Sequence, residues 1–92
     1  MIKSIKHKGL RAYWTKGTAK GLNADWVQKI NRIMAALEAA EEASDMDYPG
    51  SFFHALTGNR HGQYSVRLTG NFRVSFGWDA GAATQVDIED YH

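Results

Sequence analysis

The chain ends in Glu89-Asp90-Tyr91-His92, and its last three residues set a carboxylate, a phenol and an imidazole in succession. Together they supply a proton acceptor, a hydrogen-bond donor and a group that titrates near neutral pH. At the end of a core strand they would be held in place rather than left waving in solvent. Cleaving RNA with its own 2′-hydroxyl as nucleophile needs such a set: a base for that proton, an acid for the leaving 5′-oxygen, and positive charge on the phosphorane. Taken alone, a terminal Tyr-His is more often a frayed tail, so the surrounding elements matter.

Two elements are legible in the first half. After a short opening strand at about residues 2–6, Leu10, Tyr13 and Trp14 recur at helical spacing and predict a helix near 8–16, which Gly17 and Gly21 break. A longer helix is expected from Asn23, a good N-cap, to about Glu42. Its apolar stripe is Trp26, Ile30, Ile33, Leu37 and Ala40, with Val27 and Met34 beside it. Trp14 and Trp26 therefore read as core rather than as base-stacking platforms, and the acidic end Glu38, Glu41, Glu42 reads as solvated.

Pro49-Gly50 marks the junction where the period changes to two. Tyr64, Val66 and Leu68 alternate with polar residues, as do Phe72, Val74, Phe76 and Trp78, so each strand has one wet face. Gly70-Asn71 between them predicts a two-residue type II′ hairpin. A second hairpin at Asp79-Ala80-Gly81-Ala82 leads to a last strand, Thr84 to about Asp90, and Phe52–Leu56 supplies a further strand. The expected fold is α+β: two N-terminal helices on one face of a twisted antiparallel sheet.

Ninety-two residues suffice for one domain, 1–92, since a chain this short buries only roughly 60–65% of its unfolded surface. The hydrophobic fraction of 43%, with eleven aromatic residues, is too high for a disordered chain. Without cysteine there is neither a disulfide framework nor a thiolate zinc site, which fits a reducing cytoplasm. The charged start lacks a secretory apolar run, and the longest apolar stretch, Ile33–Leu37, is far short of the ~20 residues that span a bilayer. His54 and His61 have no metal-ligand spacing, and Gly58-Asn59-Arg60-His61-Gly62 is an inter-strand loop rather than a phosphate-binding one, so neither metal nor cofactor is expected.

The net charge is only +1, but its distribution is uneven. Residues 1–32 carry eight basic residues (Lys3, Lys6, Lys8, Arg11, Lys16, Lys20, Lys29, Arg32) against Asp25, a balance of +7, while the remaining sixty carry three arginines against nine acids, a balance of −6. Such a chain can face a polyanion with its first third, or simply solvate it.

The opening MIKSIKHKGL, the block FFHALTGNRHGQYSVRL, the hairpin GNFRVSFGW and the terminal DIEDYH, in this order, resemble the HigB branch of the RelE/ParE toxin superfamily over nearly the whole chain. The resemblance implies a RelE-like fold and a type II toxin–antitoxin role. It further implies a ribosome-dependent mRNA endoribonuclease that cuts in the A site without a metal ion. Catalytic residues would be His54, Arg73, Asp90, Tyr91 and His92, with acid and base unassigned. RNA or ribosome contacts would come from Lys3, Lys6, Lys8, Arg11, Lys16, Lys20, Thr57, Arg60 and Asn71. Partners would be a cognate helix-turn-helix, HigA-like antitoxin, the small ribosomal subunit with its mRNA, and operator DNA through the antitoxin alone, with no membrane partner. Many relatives have lysine where this chain has Thr57 and aspartate where it has Asn59, so a slower toxin is expected, with Arg73 and Arg60 supplying positive charge. Two other readings share the fold: a topoisomerase-poisoning toxin, which the Asp-Tyr-His terminus disfavours, and a degenerate member acting as an antitoxin-binding regulator.

Overall fold

The helical period of the first half becomes two α-helices in the computed structural model, which describes residues 1–91. His92, a catalytic candidate above, lies outside the described residues. Helix α1 (Lys8–Lys16) starts where the His7 imidazole accepts from Leu10 N at 3.0 Å and ends at Gly17, whose N–H donates to Tyr13 O. Its first turn lies directly on the loop after it, and a Cβ on Gly9 would collide with the Gly21 carbonyl, so only glycine fits.

The long helix is shorter than its apolar stripe suggests. Asn23 caps a 3₁₀ turn (Ala24–Trp26), and α2 proper runs Val27–Ala39. It stops because the Asp45 carboxylate accepts from Glu41 N and Glu42 N and nucleates a second 3₁₀ turn, Ala43–Met46, which carries Met46 into the core. The acidic end is not simply solvated. Glu38 accepts from Ile2 N at 2.7 Å, and the N-terminal amine donates to the Leu37 and Glu38 carbonyls, a cation placed at the negative end of the helix dipole.

Four antiparallel strands follow in the order β1 (His54–Ala55), β2 (Gln63–Arg67), β3 (Phe72–Asp79) and β4 (Ala82–Asp90). The expected opening strand reduces to two isolated parallel bridges, Ile2 to Ala83 and Ile5 to Val86, at the β4 edge. Ser4 there accepts from Gln85 N and Val86 N, and these two residues together oppose Phe76 in a bulge, with Gln85 at φ 48°. The second hairpin turns through Ala80 (φ 51°) and Gly81 (φ 80°), as a two-residue turn with both centres left-handed. At Gly70-Asn71 the type II′ expectation fails. Gly70 is not left-handed, and the Thr69 hydroxyl instead closes a four-residue turn by accepting from Asn71 N and Phe72 N.

Alternation divides the sheet. Val66, Val74, Phe76, Ala83 and Val86 point to the helices and form one core with Leu10, Ile30, Ile33, Met34 and Leu37. Both helices thus cover one face, an α+β arrangement. The other face is left to polar residues.

Candidate active site

That uncovered face is organised by strand register. His54 lies opposite Ser65, Ser65 opposite Ser75, and Ser75 opposite Asp87, one row across all four strands. The neighbouring row is Arg67, Arg73 and Glu89. Two arginines facing each other across strands repel, and they part. Arg67 swings its guanidinium to 4.8 Å from the Phe52 ring centre, while Arg73 lies 5.3 Å from that of Tyr91 and 3.8 Å from Glu89.

Where the rows meet, a cleft of about 430 Å³ is walled by Phe52, Phe53, His54, Ser65, Arg73 and Tyr91. Tyr91 is held there because its N–H donates to Asn71 O at 2.8 Å, continuing the β3–β4 pairing past Asp90. Asn71 thus acts through its backbone, its side chain being exposed in the turn. Arg73 Nε and Ser65 Oγ are buried, and neither has a hydrogen-bond partner among the described residues. Both residues belong to the cleft wall, and a guanidinium is well shaped for phosphate.

The expected convergence is therefore met in part. His54, Arg73 and Tyr91 share the cleft. Asp90 does not wall it: it lies opposite Phe72, one step out of phase with Arg73, Glu89 and Tyr91, and is engaged in interactions of its own. Thr57 is exposed, ahead of a 3₁₀ turn at Gly58–Arg60, and is not a cleft wall.

Arg60, expected to bring positive charge to RNA, is committed elsewhere. The short turn folds it back over the sheet, where its Nη1 and Nη2 each donate to Glu89 at 2.7 Å and its Nε and Nη2 donate to Gln63. Ser75 Oγ also donates to Glu89. The Arg60 hydrogen bonds, against the cost of burial and with help from Ser75 and the charge of Arg73, hold the Glu89 carboxyl down at about 2. The same bonds raise Arg60 above its ordinary value. This network floors a second, larger pocket of about 520 Å³ on the same face, beyond the cleft.

The basic first third is divided. Lys3 pairs with Asp79 at 3.1 Å, Lys6 reaches the rim of the larger pocket, and Lys8, Arg11 and Lys16 are exposed on α1, in the helical layer behind the sheet, with Lys20 exposed after it. Among the described residues, no three His, Asp or Glu side chains gather as a metal cage would require.

Sequence reasoning missed Ser65 and Phe52. Alternation put Ser65 on the wet face, but only the register reveals that it faces His54. Phe52 looked like an ordinary strand residue, and no local signal announces its φ of 52°.

The model of a family described as RelE-like toxin of type II toxin-antitoxin system HigB matches residues 3–92. A curated relative, Endoribonuclease HigB of Proteus vulgaris, is 37% identical over 92 residues, which is 100% of each chain.

Proposed function

The chain belongs to the HigB-like family of RelE-like toxins of type II toxin–antitoxin systems, and from that premise we propose that it is an endoribonuclease that cuts translated mRNA in the ribosomal A site. What supports this reading is the cleft in which an imidazole, a guanidinium and a phenol face one another on the uncovered side of the sheet. The relative's name is that of an endoribonuclease.

In the proposed reaction the 2′-oxygen attacks the adjacent phosphorus as a base removes its proton. The bond to the 5′-oxygen breaks as an acid protonates it, leaving a 2′,3′-cyclic phosphate and a free 5′-hydroxyl. His54 takes one proton-transfer part, and His92 at the chain end supplies the other. Arg73 neutralises the phosphorane with two parallel bonds, and the Ser65 hydroxyl donates to a nonbridging oxygen. Tyr91, backed by Arg73, orients the substrate by stacking or by binding phosphate. Every charge and proton in this scheme is supplied by side chains. The protein works in the cytoplasm, and a helix-turn-helix, HigA-like antitoxin silences it and carries the complex to operator DNA.

The test is to induce the wild type, His54→Ala, Arg73→Ala and a form lacking residues 90–92, then map mRNA ends and DNA damage. Codon-spaced cuts by the wild type should fall on the order of a hundredfold or more in each altered form. Cuts that persist in all three would overturn the assignment of the cleft. DNA damage without mRNA cuts would replace it with a topoisomerase poison.

A further inference from the structure

The segment entering β1 contains an exposed ring in a costly conformation. Tyr48-Pro49-Gly50-Ser51 is a tight turn closed by Ser51 N donating to Tyr48 O, and Ser51 O then accepts from Arg67 N at 2.8 Å. Since His54 already lies opposite Ser65, Phe52 and Phe53 together span what Val66 alone spans on β2, which makes this a bulge. Phe53 uses the bulge to turn inward and stack on Tyr64, with ring centres 5.6 Å apart. Phe52, at φ 52°, is left 64% exposed at the cleft wall. A bulky left-handed residue is rare and persists where the surrounding structure enforces it, most often at ligand sites.

The ring is not a loose apolar patch. The Arg67 guanidinium lies over it, as the Arg73 guanidinium lies over Tyr91, itself 45% exposed. Two aromatic rings, each with an arginine, thus belong to one cleft, whose wall also holds Ser65 and Arg73, a hydroxyl and a guanidinium of the kind that bind phosphate. Ring, cation and phosphate donors together match a nucleotide, and a ring accepts a base of any sequence only if that base is unstacked.

We propose that Phe52, with Arg67 against it, is a stacking platform for an unpaired nucleobase of single-stranded RNA, one neighbouring the phosphate held by Arg73. The inference rests on the RNA-cleaving reading of the cleft and adds a substrate-positioning residue to it. Arg67 assists by holding the ring and by placing a positive charge beside the backbone of the stacked nucleotide.

The probe is a short RNA, 2′-O-methylated throughout so that it cannot be cleaved, with 2-aminopurine walked along it, and a matching set with an abasic residue at each position. The full chain is titrated into each RNA, and both 2-aminopurine quenching and Kd are read. At one position the wild type should quench the fluorophore. Phe52→Gly there should weaken binding roughly 5- to 150-fold, the range for losing one stacked base. Glycine suits the left-handed φ, so this variant should melt no lower than the wild type, which separates loss of the ring from loss of the fold. Phe52→Trp should restore binding, and the abasic RNA should bind wild type and Phe52→Gly alike. Equal affinity of the two proteins for the 2-aminopurine RNA, a Phe52→Gly penalty that persists undiminished on abasic RNA, or no RNA binding by the wild type would each overturn the platform and leave the ring to a protein partner. Phe52-dependent binding without any mRNA cleavage would remove the nuclease reading and leave the platform standing.

Discussion

Cations near the cleft are fewer than the sequence suggests. Of the three C-terminal arginines, Arg60 is bound bidentately by Glu89, Arg67 is turned to Phe52, and Arg73 shares its charge with Glu89 at 3.8 Å. Thr57, three residues beyond His54 and exposed, adds only a neutral hydroxyl. A lysine there could reach toward the developing phosphorane of the proposed reaction. Thr57→Lys is therefore expected to speed mRNA cleavage on ribosomes by about ten- to a hundredfold, somewhat below the loss typical of removing one charge-stabilising donor. Single-turnover rates on programmed ribosomes measure this directly, and an unchanged rate would show that Thr57 does not limit the chemistry. At this scale, the family resemblance, rather than residue type alone, singled out His54, Arg73 and Tyr91, and these three line one cleft. Residue type was a poor guide for Phe52, Ser65 and Arg60, whose surroundings depend on a left-handed φ, a register and a competing carboxylate.

The Glu89 network is also what ties the elements of the uncovered face together, joining the β1–β2 loop through Arg60, β2 through Gln63 and β3 through Ser75. Because the folded Glu89 carboxyl is held at about 2, against 4.5 ordinarily, its contribution to stability is complete above about 4.5. That contribution is lost as pH falls from there toward 2, since the unfolded chain takes up its proton first. Glu89→Gln should lower stability by about 1–2 kcal/mol at neutral pH, because it removes the charge-assisted bonds to Arg60 and the anion beside Arg73. The gap between variant and wild-type Tm should shrink steadily between pH 4.5 and 2.5. A gap independent of pH would mean that the carboxylate is not the keystone of this network. Elements with local signals were legible from sequence: α1, the Ala80-Gly81 turn, and the alternation of β2 and β3. Those decided by distant partners were not. The opening segment pairs in parallel with β4 some eighty residues away, Asp45 ends α2 from outside it, and Thr69 replaces the expected glycine turn at residues 70–71 with its own hydroxyl.

Across the whole molecule, the two-layer arrangement separates the basic surface from the cleft. Lys8, Arg11 and Lys16 stand on α1 in the helical layer, whereas the cleft opens on the opposite side of the sheet. A molecule built this way can hold a large polyanion with one layer and present the other to a single strand, as the proposed cleavage of mRNA on the ribosome requires. Charge spread over exposed helix positions acts mainly on encounter and affinity, through release of counterions, and little on chemistry. Replacing Lys8, Arg11 and Lys16 together by glutamine should therefore lower kcat/KM on ribosomes at low salt while leaving the single-turnover rate at saturation near that of the wild type. The slope of log affinity against log salt should flatten by about two to three, roughly 0.7–0.9 for each phosphate no longer neutralised. Arg73→Ala, by contrast, should cut the saturated rate and change that slope by no more than about one. If the triple variant keeps the wild-type slope, the helical layer is not a ribosome-binding surface, and the charge asymmetry of the chain serves only to solvate it.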